Sequence, residues 1–271
     1  MDEWTYDLVE KIKEECSKSR FIHEWPSSCV FLCFYHRRTG VVRVPKLFWT
    51  NSLRNEFEYW KNNPDIVEDR LMEHAHAFYG YSIIPSQIES ILEIGAGPFT
   101  QIQYLITPFR HINSITILEP NAISYMKLNN CKYKGGHLKG HSIEIISDSI
   151  ESFMEKQRKL STTNHKLYSI VVAINVVEHV QDAIEYFHAI YNLIEINGLV
   201  IFHERWFDHP RDGDCVLEDA ERLHPIRITK FVIDIFLNQF ETLFINYNKT
   251  LRQQKSVCKE QGVYFIGRKT K

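Results

Sequence analysis

The chain has 271 residues, 44% of them hydrophobic, with 32 Lys and Arg against 34 Asp and Glu and a formal net charge of -2. That length holds one large domain, or one domain with a substantial addition, and either buries a sizeable core. The near-neutral balance excludes a global field that would recruit nucleic acid or an anionic membrane, and no apolar run approaches the roughly 18 residues of a membrane span.

The first segment, MDEWTYDLVEKIKEE, is acidic and amphipathic rather than a basic region followed by an apolar one, which predicts a soluble, cytoplasmic protein. A helix is expected from Glu3 to Ser17. The stretch CVFLCFYHRRTGVVRVP reads as a β-hairpin turning at Arg38-Thr39-Gly40, and helices follow over NSLRNEFEYWKNN and VEDRLMEHAHAFYG. Residues 1–82 therefore read as a packed N-terminal extension. Six scattered cysteines, with no CxxC pair, read as reduced structural thiols.

From residue 83 to 271 short β-branched runs alternate with longer amphipathic segments, the pattern of a doubly wound α/β sheet with crossover helices. Seven strands are read in order: SILEIG, SITILEP, SIEIISD, YSIVVAINV, NGLVIFHER, ETLFINY and GVYFIGR. Ala183, Ile184, Phe187, Ile190, Tyr191 and Leu193 recur at helical spacing before a stop signal at Asn197-Gly198. Another helix is read in ITKFVIDIFLNQF. The loop between the last two strands has no room for a crossover helix, so they should pair as an antiparallel hairpin.

The first strand ends in Glu93-Ile94-Gly95-Ala96-Gly97-Pro98-Phe99-Thr100. A dinucleotide fingerprint needs glycine at position 100, where Thr100 stands, and a buried carboxylate such as Glu93 needs a cation or strong donors. Glu119-Pro120 ends the second strand, 22 residues beyond Gly97; Asp148-Ser149-Ile150 closes the third; Asn175-Val176 ends the fourth. Acids at the ends of successive strands converge on one crevice.

These motifs, with the terminal hairpin, resemble the class I S-adenosylmethionine (SAM)-dependent methyltransferases over about 180 residues. The resemblance implies a mostly parallel seven-stranded sheet and SAM as cofactor. It implies cofactor contacts at Glu93, Gly95, Ala96, Gly97, Glu119, Pro120, Asp148, Ser149, Ile150, Asn175 and Val176. Glu93 would answer the ammonium group, Glu119 the ribose hydroxyls and Asp148 the adenine. Phe99 departs from the third glycine that many members carry. If it projects into the crevice it would crowd the cofactor.

Methyl transfer needs alignment, and for a hydroxyl acceptor a base; His179 and His203 are the candidates, with His224 returning to the same mouth. Because neighbours on a strand point oppositely, only one of His203 and Glu204 should face the cleft. Trp49, Trp60, Phe78, Tyr81 and Phe207 are among the aromatics that could line an acceptor pocket. The expected activity is methylation of a small-molecule or sugar-like acceptor, at oxygen before nitrogen, with no metal, no membrane and no nucleic-acid partner. Two alternatives stay open. One is a non-catalytic regulatory subunit on the same fold. In the other, Glu178-His179 with His224 resembles the small-RNA 2′-O-methyltransferases, whose Glu-x-x-Glu-His and distant histidine hold magnesium; Asn175 replaces the first glutamate.

Overall fold

The computed structural model describes residues 35–36, 40–64, 67–159, 166–206, 224–247 and 261–271. The expected helix from Glu3 to Ser17, Phe207 and the loop before the last strand lie outside the described residues.

Seven strands form one sheet: β1 (Gln87–Ile94), β2 (His111–Leu118), β3 (Glu144–Ile146), β4 (Tyr168–Ile174), β5 (Ile194–Trp206), β6 (Glu241–Asn246) and β7 (Gln261–Arg268). Their spatial order is β6-β7-β5-β4-β1-β2-β3. The first five strands pair in parallel, while β7 lies antiparallel between β5 and β6. The order reverses between β1 and β4, opening a crevice at their carboxyl ends, where ligands of doubly wound sheets bind.

Helices α1 (Lys46–Asn62), α2 (Val67–Ala77), α3 (Ile102–Leu105), α4 (Ala122–Tyr125), α5 (Ile150–Lys159), α6 (Ala183–Leu193) and α7 (Lys230–Leu237) cover the sheet. Alternation along the strands divides the core in two. Leu92, Ile94, Val171, Ala173, Val200 and Phe202 pack with α5, α6 and α7, whereas Ile91, Ile117, Val172 and Ile201 pack with α2 and α3. The short pair Tyr35–His36 and Gly40–Val41 is antiparallel, Arg38 and Thr39 of the expected turn lie outside the described residues, and Arg227–Ile228 adds a third strand beside the pair.

Two features differ from the sequence reading. The crossovers after β1 and β2 carry only the single turns α3 and α4 instead of full helices; α3 ends at Leu105, with Ile106 extended two residues before Pro108, where helix is disfavoured. Asn197-Gly198 does not stop a helix either. Helix α6 ends at Leu193 and runs straight into β5; Tyr168 faces Ile194 but Ile170 faces Leu199, so Asn197-Gly198 bulges within the strand, with Asn197 at φ +67°.

Candidate active site

A cleft of about 490 Å³, open to solvent, lies at the carboxyl ends of β1, β2 and β4. It is lined by Gly95 after β1, Glu119 and Pro120 after β2, Ser149, Ile150 and Glu151 at the start of α5, Asn175, Val176, His179 and Val180 after β4, and Trp49, Leu53 and Glu56 of α1. Among these lining residues the ionisable groups are three carboxylates, Glu56, Glu119 and Glu151, and one histidine. None is lysine or arginine.

The glycine turn is required locally. Gly95 and Gly97 have φ of +66° and +61°, a region L residues avoid. A Cβ on Gly95 would sit 2.6 Å from the Val176 side chain, while the same atom on Gly97 would meet open space. Phe99 does not crowd the cleft: it is buried and meets the Trp60 ring edge-on at 5.4 Å, anchoring α1 to the turn.

The buried carboxylate of Glu93 finds its donors inside the chain. It accepts from the Thr100 hydroxyl and from the Gln101 N–H at 2.8 Å, at the start of α3. Burial still pushes its carboxyl up to about 7. The departure from the dinucleotide fingerprint at position 100 and the acid on the strand are thus one device, with Thr100 closing on Glu93. Glu119 accepts the Gly97 N–H at 3.0 Å and the Asn121 N–H at 2.8 Å. Burial first, and then the charge of Glu56, push it up to about 8. Asp148 pairs with Lys156 at 2.5 Å and accepts from its neighbour Ser149 N–H. Glu93, Ala96, Gly97 and Asp148 lie outside the cleft lining, whereas Gly95, Glu119, Pro120, Ser149, Ile150, Asn175 and Val176 are brought together on it.

Among the histidines, His179 lines the cleft and His203 does not. His203 is fully buried on the α2 face, stacked on Tyr264 at 3.8 Å with Nδ1 2.8 Å from the Val263 carbonyl. Glu204 points to the opposite face, as strand alternation requires. It accepts the Val176 and Val177 N–H groups and the Tyr186 hydroxyl, and burial pushes it up to about 8. Both residues of the pair therefore serve the interior: Glu204 fixes the loop that carries His179. Asp182, three residues beyond His179, caps α6 through the Ile184 and Glu185 N–H groups.

His224 comes beside His179 but does not line the cleft. Its ring lies 4.8 Å from that of His179, and its Nε2 is 3.7 Å from Glu178 Oε1. Glu178 pairs with Arg205. Burial alone would raise the Glu178 carboxyl, but Arg205, His224 and His179 outweigh it and hold it well below the usual carboxylate range. One ligand atom each from Glu178, His179 and His224 lie within 4.8 Å of one another.

Sequence reasoning did not find Leu53, Glu56, Glu151 or Val180 as lining residues, although Trp49 was among its aromatics. Helix α1 crosses the cleft: Trp49 Nε1 donates to the His179 carbonyl at 2.9 Å, and Asn121 Nδ2 donates to the Leu53 carbonyl at 2.9 Å. Nothing in its amphipathic pattern marks those contacts. Phe78 and Tyr81 belong to the core.

No protein-family model and no curated protein matches the sequence. Solved structures match the fold. The N-methyltransferase NodS from Bradyrhizobium japonicum WM9, in complex with S-adenosyl-L-homocysteine (SAH), is 15% identical and aligns 82% of this chain with 99% of its own at a TM-score of 0.54. A protein from Galdieria sulphuraria, provisionally assigned as a sarcosine dimethylglycine methyltransferase, is 13% identical over 81% of this chain and 98% of its own, at 0.54. The plantazolicin methyltransferase BamL, in complex with a triazolic desmethylPZN analog and SAH, is 14% identical over 83% and 97%, at 0.50. The chain has the class I SAM-dependent methyltransferase fold.

Proposed function

We propose that the protein is a SAM-dependent methyltransferase acting on a small-molecule acceptor. The observation that carries this reading is the chemistry of the cleft lining: Glu56, Glu119 and Glu151 offer acceptors, and no lysine or arginine stands among the lining residues to answer a phosphate. A phosphate-bearing dinucleotide finds no cationic partner there, whereas a sulfonium and ammonium cation meets carboxyl groups and favours their anions. The Gly95 turn and the room above Gly97 fit close approach of the cofactor to the backbone. The SAH complexes of NodS and BamL support the same reading.

When bound, SAM supplies an electrophilic methyl group, and the electron pair of the breaking sulfur–carbon bond stays on sulfur. This chain's residues bind, orient and take the proton. Glu119 would accept hydrogen bonds from the ribose hydroxyls, Asn175 and Val176 would form the floor, and α1 would wall the acceptor side. His179 accepts the acceptor's proton and releases it to solvent. Oxygen is the preferred acceptor atom, since a hydroxyl needs that base. His203, held in the interior, has no part in this scheme. Calorimetry with SAH is the direct test: micromolar binding supports the reading, and no binding at millimolar SAH leaves a non-catalytic subunit. A mass-spectrometric screen of metabolite pools for a SAM-dependent gain of one methyl group then identifies the acceptor.

A second reading, a metal-assisted 2′-O-methyltransferase acting on RNA, is favoured by the convergence of Glu178, His179 and His224. The Arg205 guanidinium already answers Glu178, which weakens that site for a divalent cation. Magnesium or manganese raising the melting temperature, with EDTA reversing it, would select this reading over the first.

A further inference from the structure

Helix α1 brings a carboxylate to His179, a histidine of the cleft. Glu56 Oε2 lies 3.4 Å from His179 Nδ1, and both side chains are mostly buried. Its other oxygen accepts from Trp60 Nε1 at 3.3 Å, and among the described residues no lysine or arginine pairs with it. On the far side of the ring, His179 Nε2 faces Glu178 Oε1 at 3.9 Å, and the His224 ring lies beside it. Glu178 is matched by Arg205, so it draws the ring proton less than Glu56 does. A carboxylate beside one ring nitrogen fixes the proton there and leaves the other nitrogen as the base. Nδ1 is buried and closes no hydrogen bond, and the Glu56 carboxylate stands 3.4 Å from it.

We propose that Glu56 is the positioning residue of His179: it holds the imidazole as the Nδ1–H tautomer, so that Nε2 carries the lone pair that receives the acceptor's proton. The inference rests on the methyltransferase reading for its catalytic meaning. In the transfer, the acceptor's X–H bond breaks, its proton goes to Nε2 and its electron pair to the methyl carbon. The role of the extension follows from the same contact, because the base is oriented only when α1 lies across the cleft. His74 of α2 makes a parallel tie, with its Nε2 3.1 Å from the amide nitrogen of Asn175.

The test is the tautomer itself, read by long-range proton–nitrogen correlation on the full chain carrying nitrogen-15 histidine. It is read at about two pH units above the ordinary imidazole value, where free rings are neutral. Loss of one ring system in His179→Asn assigns the signals. The wild type should show a protonated Nδ1 and an unprotonated Nε2 at His179. Glu56→Ala should move the population mostly to Nε2–H, and Glu56→Asp should restore the wild-type pattern in part. A wild-type ring protonated at Nε2 overturns the proposal by itself, whether or not the Glu56 variants fold, and so does an unchanged tautomer in Glu56→Ala. SAH calorimetry on the same samples separates the two ideas: absent binding with the predicted tautomer defeats the methyltransferase reading and leaves the Glu56–His179 contact standing.

Discussion

Glu119 accepts the backbone N–H of Gly97 at 3.0 Å, so the acid that ends β2 is tied to the turn that follows β1. Burial and the neighbouring Glu56 raise its carboxyl to about 8, which leaves it largely protonated at neutral pH. Hydrogen bonds donated by a ligand's hydroxyls favour its anion. SAH binding should therefore release a proton near pH 7 and tighten as pH rises from 6 to 8. Calorimetry in two buffers of different ionisation enthalpy measures the release. Glu119→Gln should abolish it and weaken binding about 10-fold or more, the loss of hydrogen bonds to a charged acceptor.

Three buried carboxyls, Glu93, Glu119 and Glu204, are raised chiefly by burial to about 7, 8 and 8. Between the ordinary value near 4.5 and these values the folded protein holds protons that the unfolded chain has released. Stability of the ligand-free protein must then fall as pH rises through that window, by about 1.4 kcal/mol per pH unit for each group held fully protonated. Thermal melts at pH 5.5 and pH 8 should show the lower melting temperature at pH 8. Glu204→Gln, which keeps an acceptor for the Val176 and Val177 N–H groups, should flatten the slope.

Phe99 and Trp60 meet edge-on at 5.4 Å, the ring contact that fastens α1 to the glycine turn. Phe99→Ala should cost about 3 kcal/mol or more, since the side chain is buried and the cavity cannot close fully. A double-mutant cycle with Trp60→Ala, read by urea unfolding, should return a coupling of about 0.5–1.5 kcal/mol. Zero coupling would mean that the ring contact does not hold the helix.

Arg205 is the partner of the buried Glu178. Removing the guanidinium strands a carboxylate in the interior, so Arg205→Ala should cost about 3–5 kcal/mol at neutral pH. The Glu178 carboxyl is depressed in the folded protein, so its contribution is present above the ordinary carboxylate value and is lost as pH falls toward the folded one. The penalty should shrink in acid. Urea midpoints of wild type and variant at pH 7 and pH 4 give the comparison.

Much of the architecture was legible because periodicity is local. Each of the seven strands is a β-branched run closed by a turn residue, and the short loop before the last one leaves only a hairpin. Of the motif residues read at the strand ends, Gly95, Glu119 and Asn175 meet on the cleft, while Glu93, Gly97 and Asp148 do not line it. Residue roles were less legible. Glu93 at a buried strand position implies donors, but not that Thr100 and Gln101 supply them a few residues away. His203 at a strand end reads as a base, yet the pleat turns it toward α2, onto Tyr264.

The sequence by itself determined which strands form and where the glycine turn sits, because hydrophobic period and backbone sterics act within a few residues. Only the tertiary structure decided that α1 lies across the cleft, that Phe99 turns to Trp60 and away from the ligand space, and that Glu56 faces His179 across 123 positions of chain. Such contacts are set by which apolar faces pack together. An amphipathic helix records that it has a face to bury, and not which neighbour its polar residues will meet.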